Sequence, residues 1–382
     1  MSRRNSDSLI KKIIIPCSNR AGDLNTKLME CKMTGTENNG QNNWINEPHS
    51  EDKLRDYKGV CVKLGFSMCI YFICRLLAGF AASYVGSLIS IFNESLVSLL
   101  VTFTVILFAY VIPLYLTALI FKSFSKYRGN YRELYKKPKK LARSFGTFPA
   151  MYGLGQGTAL LTLLVMYLIL RNMSGQSYIE ELLRPTVIET PTNIVSLIGM
   201  VFMLVVIAPV FEEFWVRGIM YDALRPYGTG TAILISSLLF GLMHGSLYML
   251  FYTTAFGLAL GYVRYATDSL FTVTILHAIV NSISAGALLL SSALLMTNEE
   301  NKLINTLYII YLLAMLIMVV VGVVVFLSKI PAIRKYRIEN EWPGISPWKK
   351  TALFFVSIPV IIMMVMAFNE LSGHWLINLI RS

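Results

Sequence analysis

The sequence predicts an all-α fold, a polytopic transmembrane helical bundle of about eight to nine spans. Composition is the first reason. Of 382 residues, 55% are hydrophobic and only 15% charged, and the mean hydropathy is +0.58. A soluble domain carries about a quarter charged residues. Apolar runs of about 20 residues, the length that crosses hydrocarbon as a helix, recur along most of the chain. They are continuous, whereas a transmembrane β-barrel strand alternates apolar and polar residues.

Net charge is +12, from 34 Lys plus Arg against 22 Asp plus Glu. The basic residues sit in loops between apolar runs, as in a membrane protein whose cytoplasmic loops set its topology. This pattern gives no support to a nucleic-acid partner. Among the five cysteines, Cys17, Cys31, Cys61, Cys69 and Cys74, none forms a Cys-x-x-Cys pair. Neither a disulfide framework nor a thiolate metal site is expected. No signal peptide is expected, because the stretch from Leu9 to Pro16 is interrupted by lysines and too short for an apolar core.

Residues 1–57 are rich in Asn, Lys, Glu and Ser and read as a disordered cytoplasmic extension. The first span is expected at about Val60 to Tyr84, with Arg75 facing a partner helix or offset in depth. The second is expected at about Leu96 to Phe121. Lys122 to Arg143 is strongly basic, hence cytoplasmic, and suits contact with anionic lipid. These elements make up a segment 58–146.

The third span is expected at about Phe148 to Leu170 and the fourth from Asn193 onward. The fifth, about Thr231 to Gly245, and the sixth, about Leu247 to Val263, are short for full crossings. The seventh is expected at about Leu270 to Leu290, the eighth at about Leu303 to Leu327 and the ninth at about Thr351 to Leu371, kinked at Pro359. The loop Lys329 to Lys350 is again basic. Nine spans with a cytoplasmic N-terminus put both basic loops inside and bring the end of the fourth span toward the cytoplasmic face.

That fourth run ends in Pro209-Val-Phe-Glu-Glu-Phe-Trp-Val-Arg217. At roughly 100° per residue, Glu213 and Arg217 share a face and can pair, which turns Glu212 elsewhere. Pro209 lacks an N–H and, in α-helical register, frees the carbonyl of Val205. Ordinary charges on a helix end leaving the bilayer explain this motif alone about equally well. Two later runs add polar residues. Phe240 and His244 share a face, as do Gly241 and Gly245, the latter pair allowing close helix approach. His277 and Asn281 project together from the seventh run. Gly257 and Gly261 form a packing pair. His49 and His374 are bystanders. His-Glu-x-x-His, Gly-x-Ser-Gly, Gly-x-Gly-Asp and Walker A sequences are all absent.

Glu212-Glu213-x-x-x-Arg217, Phe240-x-x-x-His244 and His277-x-x-x-Asn281, in this order on successive apolar runs, resemble the motifs of the CPBP intramembrane proteases. That family includes type II CAAX prenyl endopeptidases and proteins of bacteriocin processing or self-immunity. The resemblance covers roughly Ile194 to Ser284, making residues 147–291 a CPBP-like catalytic core and 292–382 a C-terminal pair of spans. It implies a site below the cytoplasmic surface of a bacterial plasma membrane. It also implies roles: Glu212 as general base, His244 assisting the water, His277 and Asn281 stabilising the oxyanion, with Glu213, Arg217 and Phe240 in support. The implied partners are the lipid bilayer and a peptide or membrane-protein substrate, lipidated or not. Glu212, His244 and His277 also make a set that suits catalytic zinc. The same residues serve a metal-free mechanism, which is the expectation preferred here. A non-catalytic immunity or scaffold protein, and a transporter using buried Glu and His as a proton path, are the competing readings.

Overall fold

The computed structural model describes residues 50–124, 144–170, 191, 193–297, 301–335, 342 and 344–371. Expectations for the N-terminal extension up to His49, for most of the first basic loop and for His374 lie outside these residues. Every described element is helical, and among the described residues there is no strand.

In chain order, α1 spans Ser50–Gly86 and α2 spans Glu94–Ile106, which passes through a π-helical turn, Leu107–Val111, into α3, Ile112–Phe124. Then come α4, Phe148–Leu170, and α5, Ile194–Phe202. A second π-helical turn, Met203–Ile207, leads to α6, Ala208–Glu213, and a third, Phe214–Met220, to α7, Tyr221–Leu224. The remainder comprises α8, Thr229–Leu242; α9, Leu247–Thr267; α10, Leu270–Met296; α11, Lys302–Lys335; α12, Pro347–Phe355; and α13, Ile358–Leu371.

All nine expected apolar runs are helical, but not all are full crossings. Among the described residues, six helices are long and apolar enough to span a membrane, or up to seven if α12 and α13, bent by 73°, count as one. Three of the nine expected runs are not among the six: α8, α9 and the ninth run. With 14 residues, α8 reaches only about 21 Å at the helical rise, short of a hydrocarbon core of about 30 Å. The ninth run breaks at Val356–Ser357 and restarts at Ile358, with Pro359 in the first turn of α13, where its missing N–H costs no intrahelical bond. Elsewhere α1 starts at Ser50, inside the stretch expected to be irregular, and α11 continues to Lys335 through Pro331.

Helix starts follow side-chain chemistry. Asn93 caps α2 by accepting from the Ser95 N–H, and Asn193 caps α5 by accepting from the Ser196 N–H. The two caps meet, since Asn193 Nδ2 donates to Glu94 Oε1 at 3.2 Å and the hydroxyls of Ser98 and Ser196 hydrogen-bond. This sets α5 against α2. A crossing of α4 and α11 occurs at Gly153 and Gly322, where a Cβ on Gly153 would stand 2.0 Å from the Gly322 carbonyl carbon. Only glycine permits that approach. The apolar core runs from Tyr57, Leu64 and Phe72 on α1 through Trp215, Ile219 and Phe240 to Leu276 and Val280 on α10. Leu303, Leu313, Ile317, Val320 and Val324 of α11 point outward and are exposed, as expected for a lipid-facing surface.

Candidate active site

The site forms where the helical stretch from Ile194 to Tyr227 crosses α10. Glu213 and Arg217 pair within that stretch, Nη1 to Oε1 at 2.8 Å, and both side chains are wholly buried. Arg217 Nη2 also donates to the carbonyl of Gly257 at 3.1 Å, and its guanidinium lies over the Phe240 ring, 4.5 Å from the centroid. Gly257 does more than pack helices: a Cβ there would meet Arg217 Nη2 at 3.1 Å. Its missing side chain leaves the space that the guanidinium occupies.

Glu213 Oε1 accepts a second hydrogen bond, from His277 Nδ1 at 2.8 Å. A carboxylate only accepts, so the proton sits on Nδ1 and His277 presents Nε2 to the rest of the site. That atom lies 3.9 Å from Glu212 Oε2, too far for a direct hydrogen bond. A water between the two would reach both. Glu212 itself is 13% exposed. It lines a small cavity with Tyr71, Ala109, Tyr110, Phe211, Trp215 and Met243, whose room is on the order of one water molecule. Trp215 Nε1 is buried without a hydrogen-bond partner. Such an indole N–H in a residue that lines a cavity is a donor in reserve.

The structure places His244 differently from expectation. It lies beyond the end of α8, in a turn closed by Gly245 at φ 62. In that left-handed conformation glycine meets no Cβ penalty, so Gly245 stops the helix. Gly241 does serve the approach, since a Cβ there would fall 2.1 Å from Thr254 Oγ1. His244 still stacks on Phe240, edge to face with centroids 4.9 Å apart. Its Nδ1 donates to the Phe240 carbonyl at 2.8 Å, which leaves Nε2 as the acceptor.

Asn281 lies one turn after His277, and its Nδ2 donates to the carbonyl of Leu204 at 2.8 Å. The expected free carbonyl was that of Val205. The π-helical turn moves the vacancy by one residue, because Ala208 N–H bonds to Met203 O. In that register the next donor would be Pro209, which has no N–H, so Leu204 O is the orphan. Asn281 fills it.

Helices outside the motif-bearing stretch hold the turn. Tyr71 Oη donates to the Met243 carbonyl at 3.0 Å. Arg75 donates from Nη1 to the same carbonyl and from Nη2 to that of His244 at 3.4 Å. Arg75 therefore faces a partner element, one of the two positions expected for it. Tyr110, in the first π-helical turn, stands beside Glu212 as a side-chain hydrogen-bonding partner. Tyr71 and Tyr110 went unnoticed in the sequence because each lies in an apolar run with nothing to mark it. The arginine inside a span was the one available signal.

The expected zinc set was Glu212, His244 and His277. Among the described residues, no three His, Cys, Asp or Glu side chains stand together as a metal-binding group. The Phe240 ring packs against both imidazoles, 4.9 Å from His244 and 5.8 Å from His277 between centroids. What the residues do assemble is a carboxylate beside a water-sized space, an imidazole oriented by a second carboxylate, and an arginine that offsets its charge. Residues 194–283 match the family described as type II CAAX prenyl endopeptidase Rce1-like. No curated protein and no solved structure matches the chain.

Proposed function

We propose that this chain, a multi-pass membrane protein of the CPBP family by its Rce1-like domain, is an intramembrane endopeptidase that uses a glutamate-activated water. One observation carries the proposal: Glu212 borders a water-sized space, and its Oε2 lies 3.9 Å from an imidazole whose other nitrogen is fixed by Glu213. In the proposed cycle Glu212 takes a proton from water, and the water oxygen attacks the peptide carbonyl carbon. His244, with its proton committed to Phe240, accepts from the same water through Nε2. Asn281 through its second amide N–H, and His277 through Nε2 in its doubly protonated form, with Nδ1–H still held by Glu213, donate to the oxyanion. The intermediate collapses as Glu212 returns its proton to the leaving nitrogen, giving an amine and a carboxylic acid, which then ionises to water. Donors fixed in a water-poor site stabilise developing charge strongly.

The basic loops argue for a cytoplasmic N-terminus and a site near the cytoplasmic face of a bacterial plasma membrane. The substrate is a peptide or membrane-protein segment, lipidated or not. To test the proposal, protein N- and C-termini are compared in membranes of cells producing the wild type or Glu212→Gln. Losing a general base costs roughly 10²–10⁴ in rate, so termini produced by the wild type should vanish. Unchanged cleavage by Glu212→Gln refutes the assignment. A chelator arm tests the metal-free reading, which is wrong if chelation abolishes cleavage and zinc restores it.

A second reading keeps the cluster for architecture. Glu213, Arg217, His277 and Gly257 tie three helical stretches together without involving Glu212. That arrangement would also suit a non-catalytic immunity or scaffold protein. A protective phenotype that survives loss of Glu212, His244 and His277 together would favour it.

A further inference from the structure

We infer that Tyr110, on a helix outside the Rce1-like segment, is a positioning residue that holds the Glu212 carboxylate in its working orientation. The inference rests on the reading of Glu212 as the base. It starts from backbone geometry. Tyr110 sits in the π-helical turn Leu107–Val111, and Pro113 follows two residues after that turn. The arrangement repeats at Met203–Ile207, which Pro209 follows at the same spacing. In each case an N–H that proline lacks is matched to a wider helical turn. Single π-turns re-aim a side chain by inserting one residue into the helix, and they concentrate at functional sites.

Side-chain geometry supports the inference. The Tyr110 ring meets the Phe211 ring edge to face, with centroids 6.3 Å apart. Phe211 is the residue before Glu212, so this contact fixes the phenol next to the carboxylate-bearing turn. Tyr110, Phe211 and Glu212 line one cavity, and the Tyr110 hydroxyl partners the Glu212 carboxylate. Glu213 is held by Arg217 and His277. Glu212 has neither contact at hydrogen-bonding distance, since His277 Nε2 stands 3.9 Å away. Without Tyr110, its carboxylate would rotate freely about its side-chain torsions. A phenol donor limits that freedom and keeps Oε2 on the water side.

The test uses the full-length protein in native membranes and needs no identified substrate. Wild type, Tyr110→Phe and Glu212→Gln are treated with dicyclohexylcarbodiimide, an apolar reagent that modifies buried carboxyl groups, and adducts are quantified by residue with mass spectrometry. Removing the phenol donor leaves Glu212 more reactive, so its adduct should form at least about threefold faster in Tyr110→Phe, as loss of one hydrogen bond to a charged group predicts. The Glu213 adduct should not change, which excludes general loosening. In the same membranes, the Glu212-dependent protein termini should accumulate roughly tenfold more slowly in Tyr110→Phe. Equal Glu212 modification in wild type and Tyr110→Phe overturns the inference. Failure of the protease reading is separately visible, as termini that persist in Glu212→Gln.

Discussion

Arg217→Met removes the guanidinium from a wholly buried pair and leaves the Glu213 carboxylate with one partner, His277 Nδ1. Glu213 Oε2 already lacks a hydrogen bond, so nothing else is in place to take up the charge. Breaking a buried ion pair from one side costs about 3–5 kcal/mol, because an uncompensated charge remains. Arg217 also gives up its contact with the Gly257 carbonyl and its place over Phe240. The effect should therefore sit in the upper half of that range. Adding Glu213→Gln removes the stranded charge. The double variant should be less destabilised than the sum of its parts, by about 1.5–3 kcal/mol, within the range of couplings between contacting residues. Thermal and denaturant unfolding of wild type, both single variants and the double variant in one detergent measures this cycle. Additivity within about 0.5 kcal/mol, the scatter of independent sites, would refute the claim that Glu213 depends on Arg217 for its burial.

Two further outcomes follow from the same contacts. Gly241→Ala places a Cβ 2.1 Å from Thr254 Oγ1 and 2.8 Å from the Leu250 carbonyl, so α8 and α9 must separate. Overpacking of this kind costs about 1–3 kcal/mol or more, and because one obstacle is backbone, Thr254→Ala should recover only part of the loss in an unfolding assay. Arg75→Leu removes the donors to the Met243 and His244 carbonyls but leaves Tyr71 on Met243. Stability should fall by only about 1–2 kcal/mol, while Glu212-dependent cleavage slows more than that loss explains, because the turn carrying His244 is loosened.

The sequence made the local part of this site legible. Spacing along one helix is a property of the chain alone, so the pairing of Glu213 with Arg217 and the separate direction of Glu212 could be read from positions four and one residues apart. The stacking of Phe240 on His244 was legible for the same reason. Contacts between helices were not. That Glu213 also orients His277 depends on the way α10 crosses the fourth run, and no periodicity encodes a crossing. The error at Val205 is of another kind. Pro209 correctly signalled a missing hydrogen bond, but the π-helical register that displaces the vacancy to Leu204 has no distinctive residue pattern. His244 was misplaced because Gly245 was read as a small residue for packing, when its positive φ makes it the terminator of α8.

The division between the matched segment and the rest of the chain bears on what α1 and α2 are for. Residues 194–283 supply the carboxylates, both imidazoles and the amide. They do not supply the groups that hold two of these in place. The His244 turn hangs on Tyr71 and Arg75 of α1, and Glu212 faces Tyr110 of the first π-helical turn. These contacts do not substitute for one another: α1 binds backbone carbonyls, which fixes a turn whatever its side chains, whereas Tyr110 addresses one side chain. The remaining cluster, Glu213, Arg217, His277 and Gly257, lies entirely within the matched segment and is closed to water at its ion pair. The matched segment therefore contains every member of the charged core but leaves Glu212 and the His244 turn dependent on the N-terminal helices. Changes in how α1 and α2 pack would alter Glu212 and His244 first, and the core pair last.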